Sequence, residues 1–236
     1  MKKKYSFDIF PLIVIIIYSI YFYIFTKIVV VNGWEISLRN ITNNNIGIKI
    51  SIDFATMLIF PGILCAIYRK KLSELGLIKS KLSLMLLVVY LIFFIMHGDF
   101  SLSGCYKAFF YIFAVAAPEE IIYRGYLYSK LKVSNRLIAI IISGSLWGIM
   151  HSILPGLLAG HGLSTIMMSM LNEIGGGIIA GLFFICLFEY SGSLLVPIMV
   201  HALFDYSYKW WGIIIGLVVF FYLIITSRKF NLKILK

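Results

Sequence analysis

Eight apolar stretches of 15 to 24 residues, separated by short polar turns, constrain this 236-residue chain more than any other feature. A helix needs about 20 apolar residues to cross a bilayer, and a backbone in lipid must satisfy its hydrogen bonds internally. The stretches run approximately Ile9–Val31, Ile50–Tyr68, Leu82–Met96, Ala108–Tyr128, Leu137–Leu154, Thr165–Phe188, Leu194–Tyr208 and Trp211–Thr226. They predict an all-α, polytopic membrane helical bundle of about eight transmembrane helices. With no Pro- or Ser-rich linker and no internal repeat, residues 1–236 form a single membrane domain in this reading. The composition, 61% hydrophobic and 13% charged, departs from the roughly 45–50% apolar and 25% charged of soluble domains. The formal net charge of +11 does not mark a nucleic-acid binder, because the basic residues lie between apolar runs and not on one soluble face. The lipid bilayer is the partner it implies.

Those basic residues set an orientation. One group of loops holds fifteen, at Lys2–Lys4, Arg69–Lys81, Lys130–Arg136 and Arg228–Lys236, and the opposite group holds four: Arg39, Lys49, Lys107 and Lys209. The positive-inside rule then predicts a multi-pass protein of the cell membrane with both termini cytoplasmic. The apolar run after Lys4 is long and lacks a small-residue cleavage site, so it reads as an uncleaved first span. Tyr206, Tyr208, Trp210 and Trp211 suit the outer interface. The basic connector KKLSELGLIKSK and the Asn40–Asn45 stretch read as solvated loops, as do the surroundings of His97, Asp99 and His161. Cys65, Cys105 and Cys186 make neither a C-x-x-C nor an even framework and read as free thiols.

Against this background, ionisable groups inside the spans stand out: Glu119, Glu120 and Arg124 in APEEIIYRG, His151 in LWGIMH, and His201 with Asp205 in HALFD. A charge at mid-bilayer costs about 2.5–3.5 kcal/mol on insertion scales. Glu120 and Arg124 are four residues apart, as are His201 and Asp205, and each pair can meet on one helix face. Glu119 is offset by about 100° from Glu120, so the two carboxylates need not share a job. Pro118 and Pro197 each free a carbonyl one turn back, which a membrane helix tolerates where a polar cavity re-satisfies it. Taken singly, the Glu120–Arg124 pair, His151 and the His201–Asp205 pair also have purely structural readings. Together, on three spans, they match the inventory of a water-activating site.

The three pieces, E-E-x-x-x-R at Glu119, Glu120 and Arg124, an aromatic-x-x-x-His at Trp147 and His151, and His-x-x-x-Asp at His201 and Asp205, resemble in order the motifs of the CAAX protease and bacteriocin-processing (CPBP or Abi) family of intramembrane endopeptidases. The contexts APEEIIYRGYL and SGSLLVPIMVHALFD are similar too, and the resemblance covers roughly 109–206, the expected catalytic core. The family usually has Phe where this chain has Trp147, a change that keeps an aromatic for packing, and often Asn where it has Asp205. An ionised Asp only accepts hydrogen bonds. Asp205 therefore either is protonated or orients a His or a water.

The resemblance implies a hydrolase that cuts a peptide bond of a membrane-associated or hydrophobic peptide or protein. Bacteriocin or signal-peptide precursor processing, self-immunity and CAAX-type C-terminal processing are the family's range. By matching the first motif Glu, Glu119 is the base that activates water. His151 and His201 position the water, stabilise the oxyanion or shuttle a proton, with Asp205 in support, while Glu120, Arg124 and Trp147 hold the arrangement. A metal-free glutamic route needs no cofactor. The alternative is a zinc site of Glu119, His151 and His201, although the sequence has no H-E-x-x-H and offers no obvious outer partners for the ligands. Two non-enzyme readings stand beside these, a proton-coupled transporter and a catalytically silent immunity or signalling scaffold. The GxxxG pairs Gly144–Gly148 and Gly177–Gly181 read as helix packing. Asn172 and Glu173 either line the cavity or meet a neighbouring helix.

Overall fold

A computed structural model describes residues 8–208 and 210–227. The basic residues Lys2, Lys3, Lys4, Lys209, Arg228, Lys229, Lys233 and Lys236, which enter the charge count above, lie outside the described residues. Among the described residues the chain is all-α, with eight helices: α1 (Phe10–Val31), α2 (Ile46–Ile67), α3 (Lys81–His97), α4 (102–131), α5 (Arg136–Leu158), α6 (Leu163–Ser191), α7 (Leu195–Tyr206) and α8 (Trp211–Thr226). By length and composition α1, α2, α5 and α6 can cross a membrane, and α3, α7 and α8 are shorter apolar helices. The chain is a polytopic helical membrane protein. Large apolar side chains on the outer surface agree with a lipid surround, among them Ile17, Ile179 and Ile225.

The helix ends have recognisable causes. Pro11 occupies the first turn of α1, where its missing N–H costs nothing. Ser101 accepts from the Gly104 amide at 3.1 Å to start α4, and Asn135 accepts from the Ile138 amide at 3.0 Å to start α5. Helix α4 is not regular throughout. Widened, π-type turns at Tyr111–Ala116 and Ile121–Tyr128 flank a short α-helical piece, Ala117–Glu120, that contains Pro118. A ring without an N–H followed by local unwinding is a known route to such turns, which recur at functional sites.

Hydrogen bonds define the two ends of the bundle. At one end the Leu194 amide donates to Gly76 O at 2.8 Å and Ser193 Oγ to Ile78 O at 2.5 Å, so the connector between α2 and α3 sits on the α6–α7 turn. Glu189 of α6 accepts there from Tyr128 of α4 at 2.5 Å and from Arg136 of α5 at 2.9 and 3.1 Å. At the other end Ser103 Oγ donates to Leu38 O and Tyr208 Oη to Met96 O.

Three loop expectations change. The connector is docked and not wholly solvated: Leu75 is buried, and a side chain at Gly76, whose φ is +77°, would run into the Phe188 ring. His97 is not free in solvent either, because its ring is wedged between Tyr206 and Tyr208 at centroid distances of 4.6 and 4.3 Å. Lys49 belongs to α2, which begins four residues earlier than the hydropathy placed it, and there it forms a buried pair with Asp53 at 2.5 Å. Cys65, Cys105 and Cys186 are free, and His161 is exposed.

Candidate active site

Glycines bring the second-motif helix into place. Gly144 and Gly148 of α5 face Gly177 and Gly181 of α6 so closely that a β-carbon on Gly144 would stand 2.7 Å from the Ile178 Cα and 2.8 Å from Gly177 O, and one on Gly181 2.9 Å from the Gly144 Cα. The two GxxxG pairs are thus one backbone-to-backbone crossing. It sets Trp147, which lines the cavity, with its ring centroid 6.1 Å from that of the buried Phe184. Asn172 and Glu173 have exposed side chains outside the cavity lining, and the Glu173 carbonyl lies against Gly148 at the crossing.

On α4 the two consecutive glutamates point to different neighbours. Glu120 and Arg124 are fully buried, with Glu120 Oε1 3.1 Å from Arg124 Nη1 and 3.0 Å from His201 Nδ1. The guanidinium lies 4.5 Å from the centroid of Trp147 and 5.1 Å from that of Phe184, a cation–π setting that adds to the ion pair. Glu119 turns into the cavity, where its Oε2 accepts from the indole Nε1 of Trp147 at 2.6 Å. The aromatic of the second motif is therefore a hydrogen-bond donor as well as packing, a role Phe lacks.

Two imidazole nitrogens converge on this carboxylate. His151 Nε2 is 3.9 Å and His201 Nε2 3.8 Å from Glu119 Oε2. Each imidazole is oriented from behind: His151 Nδ1 is 2.8 Å from Trp147 O, and His201 Nδ1 is held by Glu120. Nδ1–H donation to these oxygens leaves both Nε2 atoms facing Glu119. The outer partners that the sequence left without candidates are thus Glu120 and the Trp147 carbonyl. The Asp205 carboxylate approaches His201 Nε2 to 3.7 Å, within ion-pair range but beyond a hydrogen bond.

The cluster opens into a cavity of about 440 Å³ walled by α1, α2, α4, α5 and α7. Motif reasoning missed several of its residues. Tyr123, one turn beyond Glu119, lines it with a buried hydroxyl that has no hydrogen-bond partner among the described residues. Lys49 and Asp53 line it farther out, with Asp53 also accepting from Tyr106 at 2.7 Å. Only the lysine and aspartate at i and i+4 in an apolar run could have drawn attention to that pair.

A family model described as type II CAAX prenyl endopeptidase Rce1-like matches residues 101–207, the stretch that carries all three motifs. Over this segment the chain is similar to that family. The family so described is one of intramembrane endopeptidases, hydrolases that act on peptide substrates. No curated protein and no solved structure matches the chain. Of the helices around the cavity, α1 and α2 lie outside the matched segment and α4, α5 and α7 within it.

The spacing of the cluster bears on whether it could hold zinc. Bonds of 2.0–2.1 Å in tetrahedral geometry set ligand atoms about 3.4 Å apart. The Nε2 atoms stand 3.8 and 3.9 Å from Glu119 Oε2, which already accepts from Trp147. Among the described residues no group of three His, Cys, Asp or Glu side chains is arranged to hold a metal. As they stand, Glu119, His151 and His201 do not fit a zinc ligand set.

Proposed function

We propose that this chain is an intramembrane endopeptidase that hydrolyses a peptide bond of a membrane-associated or hydrophobic peptide with a water activated by Glu119. The observation that carries the reading is the pair of imidazole nitrogens 3.8 and 3.9 Å from one oxygen of Glu119. Such gaps are too wide for direct hydrogen bonds and suit a bridging water.

In this reading Glu119 takes a proton from that water as its oxygen attacks the carbonyl carbon. The C–N bond then breaks as the same proton passes to the departing amine, leaving a carboxylate and a free amino terminus. His201, fixed by Glu120, and His151, fixed by the Trp147 carbonyl, hold the water on the correct side of Glu119. In their protonated forms they donate from Nε2 to the oxyanion. Asp205 orients His201 and the polar side of the cavity. Arg124 balances Glu120, so that Glu119 keeps its own charge for the chemistry.

The test is mass spectrometry of a panel of hydrophobic peptides incubated with the purified protein in detergent, beside its Glu119→Gln variant. Cleavage by the first and not the second is the expected result. Equal products from both, or none from either across the panel, would sink the reading.

A further inference from the structure

The walls of the cavity all come from the same end of the bundle. Helix α1 lines it from Tyr18 to Val30, toward its C-terminal end; α2 from Lys49 to Met57, its N-terminal half; α5 from Trp147 to Pro155, its C-terminal part. The exposed Glu35, in the loop between α1 and α2, completes the lining. His151 keeps 42% of its side chain exposed here, so the catalytic cluster is reached from this end.

The opposite end is shut. Beyond Glu119 along α4, Ile122, Leu127 and Tyr128 are fully buried. Over them the α2–α3 connector is fastened by Leu75, by Gly76 against Phe188 and by the bonds from Leu194 and Ser193. A β-carbon on Gly125 would stand 2.9 Å from Leu75 O, so the seal is made backbone against helix.

Charge tells the two ends apart. The shut end carries Arg69, Lys70, Lys71, Lys79, Lys81, Lys130, Lys132 and Arg136; the open end, among the described residues, has Lys27, Arg39, Lys107 and the buried Lys49. By the positive-inside rule the shut end faces the cytoplasm. The open end is also polar inside, because Lys49 and Asp53 are paired along the cavity wall and Tyr106 donates to Asp53. A buried ion pair on a cavity wall in a membrane protein belongs to a water-accessible path.

We infer that the catalytic site is served from the non-cytoplasmic side of the membrane, and that its substrate class is a hydrophobic peptide already translocated to that side, not a chain still in the cytosol. The word substrate rests on the endopeptidase reading above; the direction of access does not.

The experiment separates the two. In a chain with Cys65, Cys105 and Cys186 replaced by Ala, single cysteines are placed in the cavity (Val30→Cys, Leu154→Cys) and on the connector (Lys79→Cys). Each is treated with a membrane-impermeant maleimide on intact cells and on inverted vesicles. The cavity positions are expected to label in intact cells and to lose labelling in inverted vesicles, and Lys79→Cys to do the reverse. Cavity labelling from the same side as Lys79→Cys, or cavity thiols that stay unreactive from both sides while Lys79→Cys reacts, would overturn the inference. Labelling as expected in a chain that cleaves no peptide in detergent supports the access and removes the protease reading. Cleavage in detergent with cavity labelling from the connector side does the opposite.

Discussion

The Trp147 indole donates to Glu119 Oε2 at 2.6 Å, tying the second-motif helix to the carboxylate of the first. A hydrogen bond to a charged group is worth about 1.5–3 kcal/mol. Trp147→Phe keeps the ring and removes the donor. It is expected to lower kcat by about 10- to 100-fold on that scale, with little change in KM, because the variant loses aim and not substrate contact. A fall in KM-dependent binding with kcat intact would contradict this positioning role.

Glu119 and its neighbour should separate in experiment. Glu119→Gln is expected to cut peptide cleavage by at least about 10²-fold while the protein accumulates normally. Glu120→Gln and Arg124→Ala should instead reduce the amount of folded protein, since truncating one partner of a fully buried pair costs about 3–5 kcal/mol. Quantified membrane fractions beside cleavage rates distinguish the two patterns.

The histidines are predicted to act without zinc. A chelator such as phenanthroline should leave cleavage intact, and purified protein should hold far less than one zinc per chain. His151→Ala or His201→Ala should still lower the rate by about 10²–10³, the usual cost of one preorganised oxyanion donor. Activity lost in chelator and restored by added zinc would recast Glu119, His151 and His201 as metal ligands.

The eight helices were legible because hydropathy reports which segments leave water, and the three motifs were legible because an ionisable group inside such a segment is expensive. The angular offset between Glu119 and Glu120 foretold their different neighbours. Other features left no local trace. The indole bond of Trp147 depends on how closely α5 approaches α4, and that distance is set by glycines facing each other across α5 and α6. Lys49 was assigned to a loop because a charge near the end of an apolar run shifts the apparent boundary; its partner Asp53 lies one helix turn on, and the hydroxyl that donates to Asp53 comes from Tyr106, 53 residues beyond Asp53. Leu75 looked like a loop residue because the surface that buries it is assembled from α4, α6 and α7.

The Lys49–Asp53 pair yields a stability prediction. Lys49→Met strands a carboxylate whose side chain is only 7% exposed and should cost about 3–5 kcal/mol. Lys49→Met combined with Asp53→Leu should recover most of that loss, measured as thermal stability in detergent. A double variant no better than the single would mean the two residues do not act as a pair.

Gly177→Ala tests the helix crossing. Its β-carbon would collide with Gly144 O and the Gly148 backbone, so α5 must move away from α6. Overpacking of this kind costs about 1–3 kcal/mol. Cleavage should fall further than stability alone explains, because Trp147 and His151 ride on the displaced helix; Gly175→Ala, which meets open space, is the control.

Helices α1 and α2 contribute cavity wall and none of the proposed reacting groups, which sit on α4, α5 and α7. In the proposed endopeptidase, exchanges at cavity-lining positions of α1 and α2 are expected to change which peptides are cut while Glu119, His151 and His201 stay in place.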